Sequence, residues 1–477
     1  MTWQILQTIL LDLLVVLIGY GGIVWFTRRL RLNLLLVGGM SFAVGAALVS
    51  GMAVILLLAE QFELVIPILL GLAGISLVSI AVAWFCRRTR RSLVASLRPH
   101  KEELVLIVLS LPVLIPLLLH SLLTPLSAWD AKMIWLPKAK ALYSEPRIPN
   151  TLFASDLFGP SHKDYPLGLP ALSATHFAWY GGVSEQPVVL TYVLFYWSIV
   201  LILVGAARHF IKGRTLLVGA IIIAIFAAGD LFAYAGLGLA DVPLALYFLI
   251  ALLALCGAVN STDDSAATTT WLGLGVIATL GSALYKNEAN LFLVLYLLAT
   301  GGLLFYLRHK NKKWTGWSRG RIIGQVLLAG LLAAPSLWWT QRCSSLGYIS
   351  DLFLTDGAQH PLSYYFDRAI QTANWFAKEV TSFEHWGWAL LPALLLGVAG
   401  VVWLLRIRPR RWIVLLPLAV ITAQLTGYFV IYVVSPQDLT WHITTSLDRL
   451  FVQIVPALYL CVGYLWLQLL YRPQPRV

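Results

Sequence analysis

The chain is built from long apolar runs that recur from one end to the other, separated by polar stretches. A run such as ILQTILLDLLVVLIGYGGIVWF, residues 5–26, is apolar almost throughout and has the length of a helix that crosses a bilayer. A strand of a membrane barrel would instead alternate apolar and polar positions over about ten residues. The pattern therefore predicts an all-α, polytopic membrane protein.

Charged residues bound these runs and set the ends of the expected helices. They predict thirteen membrane-spanning helices, at residues 5–26, 33–58, 64–85, 103–122, 186–207, 215–229, 242–258, 271–285, 290–306, 322–339, 387–405, 412–433 and 450–471. Composition agrees with this class, because 59% of the 477 residues are hydrophobic and only 12% are charged.

The basic residues predict the orientation of the chain. Clusters of Lys and Arg follow the first, third, fifth, ninth and eleventh spans and close the chain, from TRRLR at 27–31 to YRPQPRV at 471–477. Under the expected spans all of these clusters lie on one side, which the positive-inside rule makes cytoplasmic. We therefore expect a multi-pass protein of the plasma (inner) membrane with its N-terminus outside and its C-terminus in the cytoplasm. The net charge of +12 then reflects topology and contact with anionic membrane lipids, and it gives no reason to expect a nucleic-acid partner.

One apolar segment does not fit as a span. LGLPALSATHFAWY, residues 167–180, is apolar enough to cross the membrane, but counting it would invert the orientation of every later loop. We therefore expect it to lie along the outer membrane face as an interfacial helix with an aromatic tip.

The large polar loops all fall on the outer side of the membrane in this arrangement. They are residues 123–185, 340–386 and 434–449, and we expect them to carry short juxtamembrane helices. Most carboxylates and loop aromatic residues lie in these external segments, whereas the cytoplasmic loops are short and basic or plain. Any chemistry is therefore expected on the outer face. We expect loop 340–386 to bind the acceptor or to cover the site as a lid.

The first external loop has the densest polar chemistry. Asp130 follows a span closely, and partial desolvation near the membrane surface would make its carboxylate a better base. A lone loop aspartate is more often a helix cap or a solvated charge. The neighbours of Asp130 favour a site, because aromatic faces and cations suit a sugar ring and a phosphate, although Trp and Lys also serve as interfacial anchors. These neighbours are Trp129, Lys138, His162, Asp164 and Tyr165.

Two further external segments place charge at membrane depth. Asp241 precedes Pro243 at the start of a span, which equally describes a good helix cap. Lys286 and Glu288 lie in the short turn YKNEANLF, where an ion pair is the simple interpretation and a functional group the alternative.

The last external segment, VVSPQDLTWHITTSLDRLFVQIVP, is dense in Trp, His and Arg. A turn and a helix cap explain part of it. They do not explain Trp441, His442 and Arg449 together, and an arginine at the membrane boundary is well suited to grip a lipid phosphate.

In this order the motifs resemble those of bacterial GT-C membrane glycosyltransferases. The segments that carry the resemblance are WDAKMIW, KAKAL, HKDYPLGLP, ADVPLALY, YKNEANLF and SPQDLTWHITTSLDRLFVQIVP. The nearest group contains protein mannosyltransferase-like, aminoarabinose-transferase-like and RgtA/B/C/D-like proteins. The resemblance covers residues 103–471, which would form the GT-C-like catalytic domain, and leaves residues 1–102 as extra N-terminal helices.

The resemblance implies transfer of a sugar from a polyprenyl-phosphate donor to a lipid, glycan or protein acceptor on the outer face, in some members with a divalent metal, Mg²⁺ or Mn²⁺. It matches the first-loop acid of the family to Asp130 and the second-loop acid to Asp241. Many members carry a paired acid in the first loop. Here Asp130 is flanked by Trp129 and Ala131, which leaves metal dependence open.

The chemistry assigns a role to each group. An inverting transfer needs one base for the acceptor hydroxyl, and a phosphate leaving group needs cations. Asp130 is the expected base, and Asp241 and Glu288 are expected organisers or metal ligands. A metal, if one is used, is expected at Asp130 and Asp241. The expected substrate contacts are the cations Lys138, Lys286 and Arg449, the rings of Trp129, Tyr165 and Trp441, and His162, Asp164 and His442.

Two other function classes stay open. A transporter or flippase of a lipid-linked substrate would suit the many spans and the intramembrane Asp12, although the polar residues cluster on one face instead of at the midplane. An enzyme like an O-antigen ligase or polymerase would also act outside, but would be expected to rely on Arg and His in a large late loop.

Overall fold

The computed structural model describes residues 2–211, 214–227, 229–310, 319–348, 360–387 and 389–470. These residues form α-helices joined by loops, and no β-strand occurs among them. The α-helices are α1 Thr2–Leu30, α2 Leu34–Leu58, α3 Val65–Phe85, α4 Arg87–Leu97, α5 Lys101–Leu123, α6 Leu136–Ser144, α7 Thr151–Ala154, α8 Gly168–Tyr180, α9 Glu185–Phe210, α10 Thr215–Phe226, α11 Asp230–Tyr234, α12 Asp241–Asn260, α13 Ser265–Ser282, α14 Glu288–Lys310, α15 Arg319–Leu346, α16 Leu362–Val380, α17 Phe383–Trp386, α18 Leu390–Ile407, α19 Leu416–Val434 and α20 Leu439–Leu470.

Ten helices of the described ranges are long and apolar enough to cross a membrane. They are α1, α2, α3, α5, α9, α12, α14, α18, α19 and α20, and each matches one of the thirteen expected spans. The other three expected spans correspond to α10, with 12 residues, and to α13 and α15. The all-α, multi-pass class is confirmed, while the number of spans and their orientation stay predictions.

The centre of the fold is α12. All of its apolar window is buried, and it packs against α9, α13 and α20. A helix that is hydrophobic all round must be enclosed by other helices or by lipid. In contrast, only 22% of the corresponding windows of α3 and α5 is buried, so these helices present apolar surface to the outside. Asp241, the first residue of α12, is therefore held at the core of the protein.

The first helices are integrated into the rest of the protein. A Cβ added to Gly19 of α1 would lie 1.8 Å from the carbonyl oxygen of Ser41 in α2, so the two backbones are in direct contact. In α1, Asp12 accepts a hydrogen bond of 3.0 Å from the Thr191 hydroxyl, and its carboxylate lies 3.5 Å from His176. The expected division at residue 102 stays a prediction.

The expectation of an interfacial helix at residues 167–180 is wrong. The segment forms α8, but its residues from Gly168 to Phe177 are all buried, and it packs against α2 and α6. The backbone N–H of Gly168 donates a 2.7 Å hydrogen bond to the carbonyl of Leu284, and a Cβ at this position would lie 2.3 Å from that oxygen. The segment is apolar because it faces protein on all sides.

Candidate active site

Asp130 lies near the start of the first external loop expected from the sequence and is paired with a distant arginine. The residues after it, Ala131–Trp135, form a short π-helical turn that leads into α6. π-Helical turns are rare in proteins, and those that occur are often found at functional sites. Arg449 of α20 forms an ion pair with Asp130, and its other terminal nitrogen donates a 2.6 Å hydrogen bond to the carbonyl of Thr445. Both charged side chains remain partly exposed.

Asp241 is held by two buried partners. Lys286 donates to its Oδ1 at 2.9 Å, and the side-chain amide of Gln453 donates to the same oxygen at 2.7 Å. Lys286 is also 2.9 Å from Glu288. Burial alone would lower the pKa of Lys286, but the carboxylates of Asp241 and Glu288 outweigh it and raise this pKa above its ordinary value. Lys286 therefore stays a cation shared between two acids.

Helix α20 brings these two carboxylates together. Arg449 and Gln453 are four residues apart on one helix, so they point to the same side. One binds Asp130 and the other binds Asp241. Two carboxylates from widely separated segments of the sequence therefore converge along one face of α20.

Tyr165 lies among these charged groups. Burial raises the pKa of its hydroxyl, and the charges of Lys286, Glu288, Asp164 and Arg449 all act on it. Its loop is fixed from both sides: Trp339 donates to the Tyr165 carbonyl at 3.1 Å, and Asn287 donates to the Asp164 carboxylate at 3.0 Å.

Lys138 and His162 lie behind Tyr165. The Lys138 ammonium is buried, donates a 2.6 Å hydrogen bond to the carbonyl of His162, and lies 5.6 Å and 5.8 Å from the ring centres of Tyr165 and Trp135. The His162 ring stacks on Tyr165 with centres 4.6 Å apart. Burial lowers the pKa of Lys138 to about 7, with Asp164 and Cys343 opposing this effect. As it stands, Lys138 supports the loop and is not open to a ligand.

The expected aromatic contacts differ in exposure. The rings of Trp129 and Trp441 are more than half exposed. His442 is partly buried, and its ring lies against Tyr432 with centres 4.7 Å apart. The two tryptophans are thus available to a ligand at the protein surface.

A second group of titratable side chains lies next to this site. Asp230, Glu379 and His385 place one ligand atom each within 4.8 Å of one another, a spacing at which they could hold a metal ion. His385 is 2.8 Å from Glu379. Burial raises the pKa of Asp230 to about 7; the charge of His385 opposes this rise, and the carboxylate of Asp448 adds to it.

The metal position expected from the resemblance does not fit these contacts. Asp130 is already paired with Arg449, and Asp241 with Lys286. Oδ2 of Asp241 is buried without a hydrogen-bond partner, but one oxygen is not a ligand set. Divalent cations bind several oxygens or a mixture of oxygen and nitrogen, which one oxygen of Asp241 does not provide.

Sequence reasoning gave too little weight to polar side chains inside the spans. Gln453 receives a 2.6 Å hydrogen bond from Tyr428 in addition to holding Asp241, and Gln424 donates to the backbone carbonyl of Glu288 at 3.3 Å. The sequence did contain a signal for these two residues, because a glutamine in an apolar run is energetically costly unless it has a hydrogen-bond partner.

Comparison of the chain with protein-family models, with curated proteins and with solved structures finds no match, so a functional proposal must rest on the residues and their geometry.

Proposed function

We propose that the protein is an integral membrane glycosyltransferase of the inverting type. It moves a sugar from a polyprenyl-phosphate donor to an acceptor on the outer face of the plasma membrane. The observation that carries the proposal is the partly exposed pair of Asp130 and Arg449 beside the buried group of Asp241 and Lys286. One reachable acid next to a cation is what this transfer requires, since a base must take a proton while a cation receives a phosphate.

Exposure supports Asp130 as the base. The side chain of Asp130 is 13% exposed, whereas that of Asp241 is 1% exposed and carries Lys286 and Gln453. An acceptor hydroxyl can reach only the first. Asp241 is therefore the organiser, which fixes the position of Lys286 and, through Gln453, of α20.

The reaction can be written from these groups. The acceptor oxygen attacks the anomeric carbon and its proton passes to the Asp130 carboxylate. The bond between that carbon and the phosphate oxygen breaks, and the polyprenyl phosphate leaves with the electron pair. Arg449 binds the phosphate, because its planar guanidinium matches the geometry of phosphate oxygens. This contact moves the guanidinium away from Asp130, so the Asp130 carboxylate becomes free to act as the base. Lys286 does not reach the phosphate, because it is buried between Asp241 and Glu288, and it instead holds these two carboxylates in place.

The surrounding side chains complete the site. Tyr165 lies among the charged groups and contacts the sugar. The exposed rings of Trp129 and Trp441 pack against the lipid or the acceptor. Lys138 keeps a supporting role under Tyr165. The acceptor is a lipid, a glycan or a protein.

The test uses the full-length protein in lipid vesicles with a panel of radiolabelled polyprenyl-phosphate sugars and a membrane extract as acceptor. We expect D130N to lose transfer by about 10²- to 10⁴-fold, the typical contribution of a general base. D263N is the matched control, since Asp263 is an exposed aspartate in the loop between α12 and α13, on the expected cytoplasmic side, and it should keep full activity.

Full transfer by a correctly folded D130N protein would end the proposal. Movement of labelled lipid across the vesicle membrane without any transfer would instead support the flippase alternative.

A further inference from the structure

Helix α16, Leu362–Val380, presents three distinct faces along its 19 residues. It lies outside the ten apolar helices and packs against α19 and α20. With about 100° of rotation per residue, its side chains divide by position into one face against protein, one exposed and apolar, and one exposed and polar.

The first face anchors the helix. Arg368, Thr372 and Glu379 are buried on it. Phe376, on the same side, packs its ring against Tyr432 of α19 and Phe451 of α20, with ring centres 6.1 Å and 5.6 Å apart.

The second face is apolar but uncovered. Leu362 is 84% exposed, Phe366 is 67% exposed and Ile370 is 50% exposed. Ala373 and Ala377 are exposed as well and continue the same line. The steps of four, four, three and four residues place all five side chains in one strip about 80° wide.

The third face is polar and also exposed. It adjoins the apolar strip and consists of Asp367, Gln371, Asn374 and Lys378. A helix with one side toward protein, one apolar and one polar has the pattern expected at the boundary of a membrane and water.

Arg368 sets the depth of the helix. Its guanidinium donates to the carbonyls of Tyr432 at 2.7 Å and Val433 at 3.0 Å, the last turn of α19, and to the carbonyl of Gln437 at 3.2 Å. α19 is an apolar span that ends at Val434, and the side chain of Val434 is 58% exposed. The helix is therefore held at the level where a lipid-facing span leaves the membrane.

We propose that α16 lies along the membrane surface at this end of α19, with the strip of Leu362, Phe366 and Ile370 inserted among the lipid head groups and upper acyl chains. The occupant of the apolar face is the lipid leaflet itself, because Arg368 fixes α16 at the end of the apolar helix α19, where Val430 and Val434 are exposed. The polar face then points to water. This assignment does not depend on the catalytic proposal.

The first test needs no variant. The wild-type protein is placed in phosphatidylcholine vesicles that contain a phospholipid with a photoactivatable group near the top of its acyl chain, and the labelled residues are located by mass spectrometry. Label should appear on Leu362, Phe366 and Ile370, and not on Asp367 or Gln371. Absence of label from the apolar strip, while Val434 is labelled, would overturn the proposal.

The second test measures both faces in the same helix. Cys86 is partly exposed and the other three cysteines are buried, so Cys86→Ala makes a background for thiol labelling. A fluorophore at F366C should be quenched by spin-labelled lipid and protected from iodide. A fluorophore at Q371C should be quenched by iodide and protected from the spin-labelled lipid. Equal quenching by iodide at both sites would refute the proposal. So would a disulfide between F366C copies at high lipid-to-protein ratio, since it would assign the strip to a second copy of the chain.

Discussion

Removal of the positive charge of Lys286 should destabilise the protein more than any surface change of the same type. Lys286 and Asp241 are 2.9 Å apart with side chains only 6% and 1% exposed, and Glu288 lies 2.9 Å from the same ammonium. K286M keeps most of the volume of the side chain and removes the cation. Asp241 would then keep Gln453 as its direct partner in a site closed to water.

The expected cost follows from that burial. Removing one partner of a buried ion pair typically costs about 3–5 kcal/mol, because the remaining charge is left uncompensated. The double variant D241N/K286M removes the two buried charges and leaves only Glu288, whose side chain is 19% exposed, so it should recover most of this loss. The matched control is K140M, which breaks an ion pair with Glu185 whose side chains are 46% and 34% exposed. Exposed pairs contribute about 0–1 kcal/mol.

The measurement is the free energy of unfolding in mixed detergent micelles, followed by helical circular dichroism as the fraction of SDS rises. All four proteins are compared under the same conditions. A loss below about 1 kcal/mol for K286M, equal to that of K140M, would refute the reasoning. So would a double variant less stable than K286M, since the buried charge would then not be the cause.

Three further outcomes can be checked in the same way. R368M should cost about 2–4 kcal/mol in unfolding free energy, because it leaves the carbonyls of Tyr432 and Val433 without their charged donor, and R368K should recover only part of it. G168A should cost about 1–3 kcal/mol, since its Cβ would lie 2.3 Å from the Leu284 oxygen, whereas G181A, where a Cβ meets nothing but φ is +73°, should lose less. Lys138 has a folded pKa of about 7 against an ordinary 10.5, so the unfolded chain binds more protons between these values and wild-type stability should rise with pH across that window. K138M should flatten this rise, and an unchanged slope would contradict the buried position of Lys138.

Much of the candidate site could be selected from the sequence. Asp130, Asp241, Lys286 and Arg449 stand out because a charge at the end of an apolar run is costly unless it has a partner or a function. The structure places all four in two neighbouring ion pairs. What sequence reasoning could not supply was the pairing, since Asp130 and Arg449 are 319 positions apart and their contact depends on how α20 packs.

Two elements show the same limit for the fold. Residues 167–180 were expected to form an interfacial helix and are buried, whereas loop 340–386, expected to be an acceptor or lid element, contains α16 with its exposed apolar strip. A uniformly apolar helix can face lipid or protein, and its composition does not distinguish the two.

The sequence by itself determined the all-helical membrane class and, in the described part of the chain, ten helices long and apolar enough to cross a bilayer, because the length and polarity of a run are local properties. The tertiary structure decided which charges neutralise each other, that Lys138 supports a loop, and that Asp230, Glu379 and His385 form a cluster of their own. Those outcomes depend on contacts between helices distant in the chain, and no local pattern encodes them.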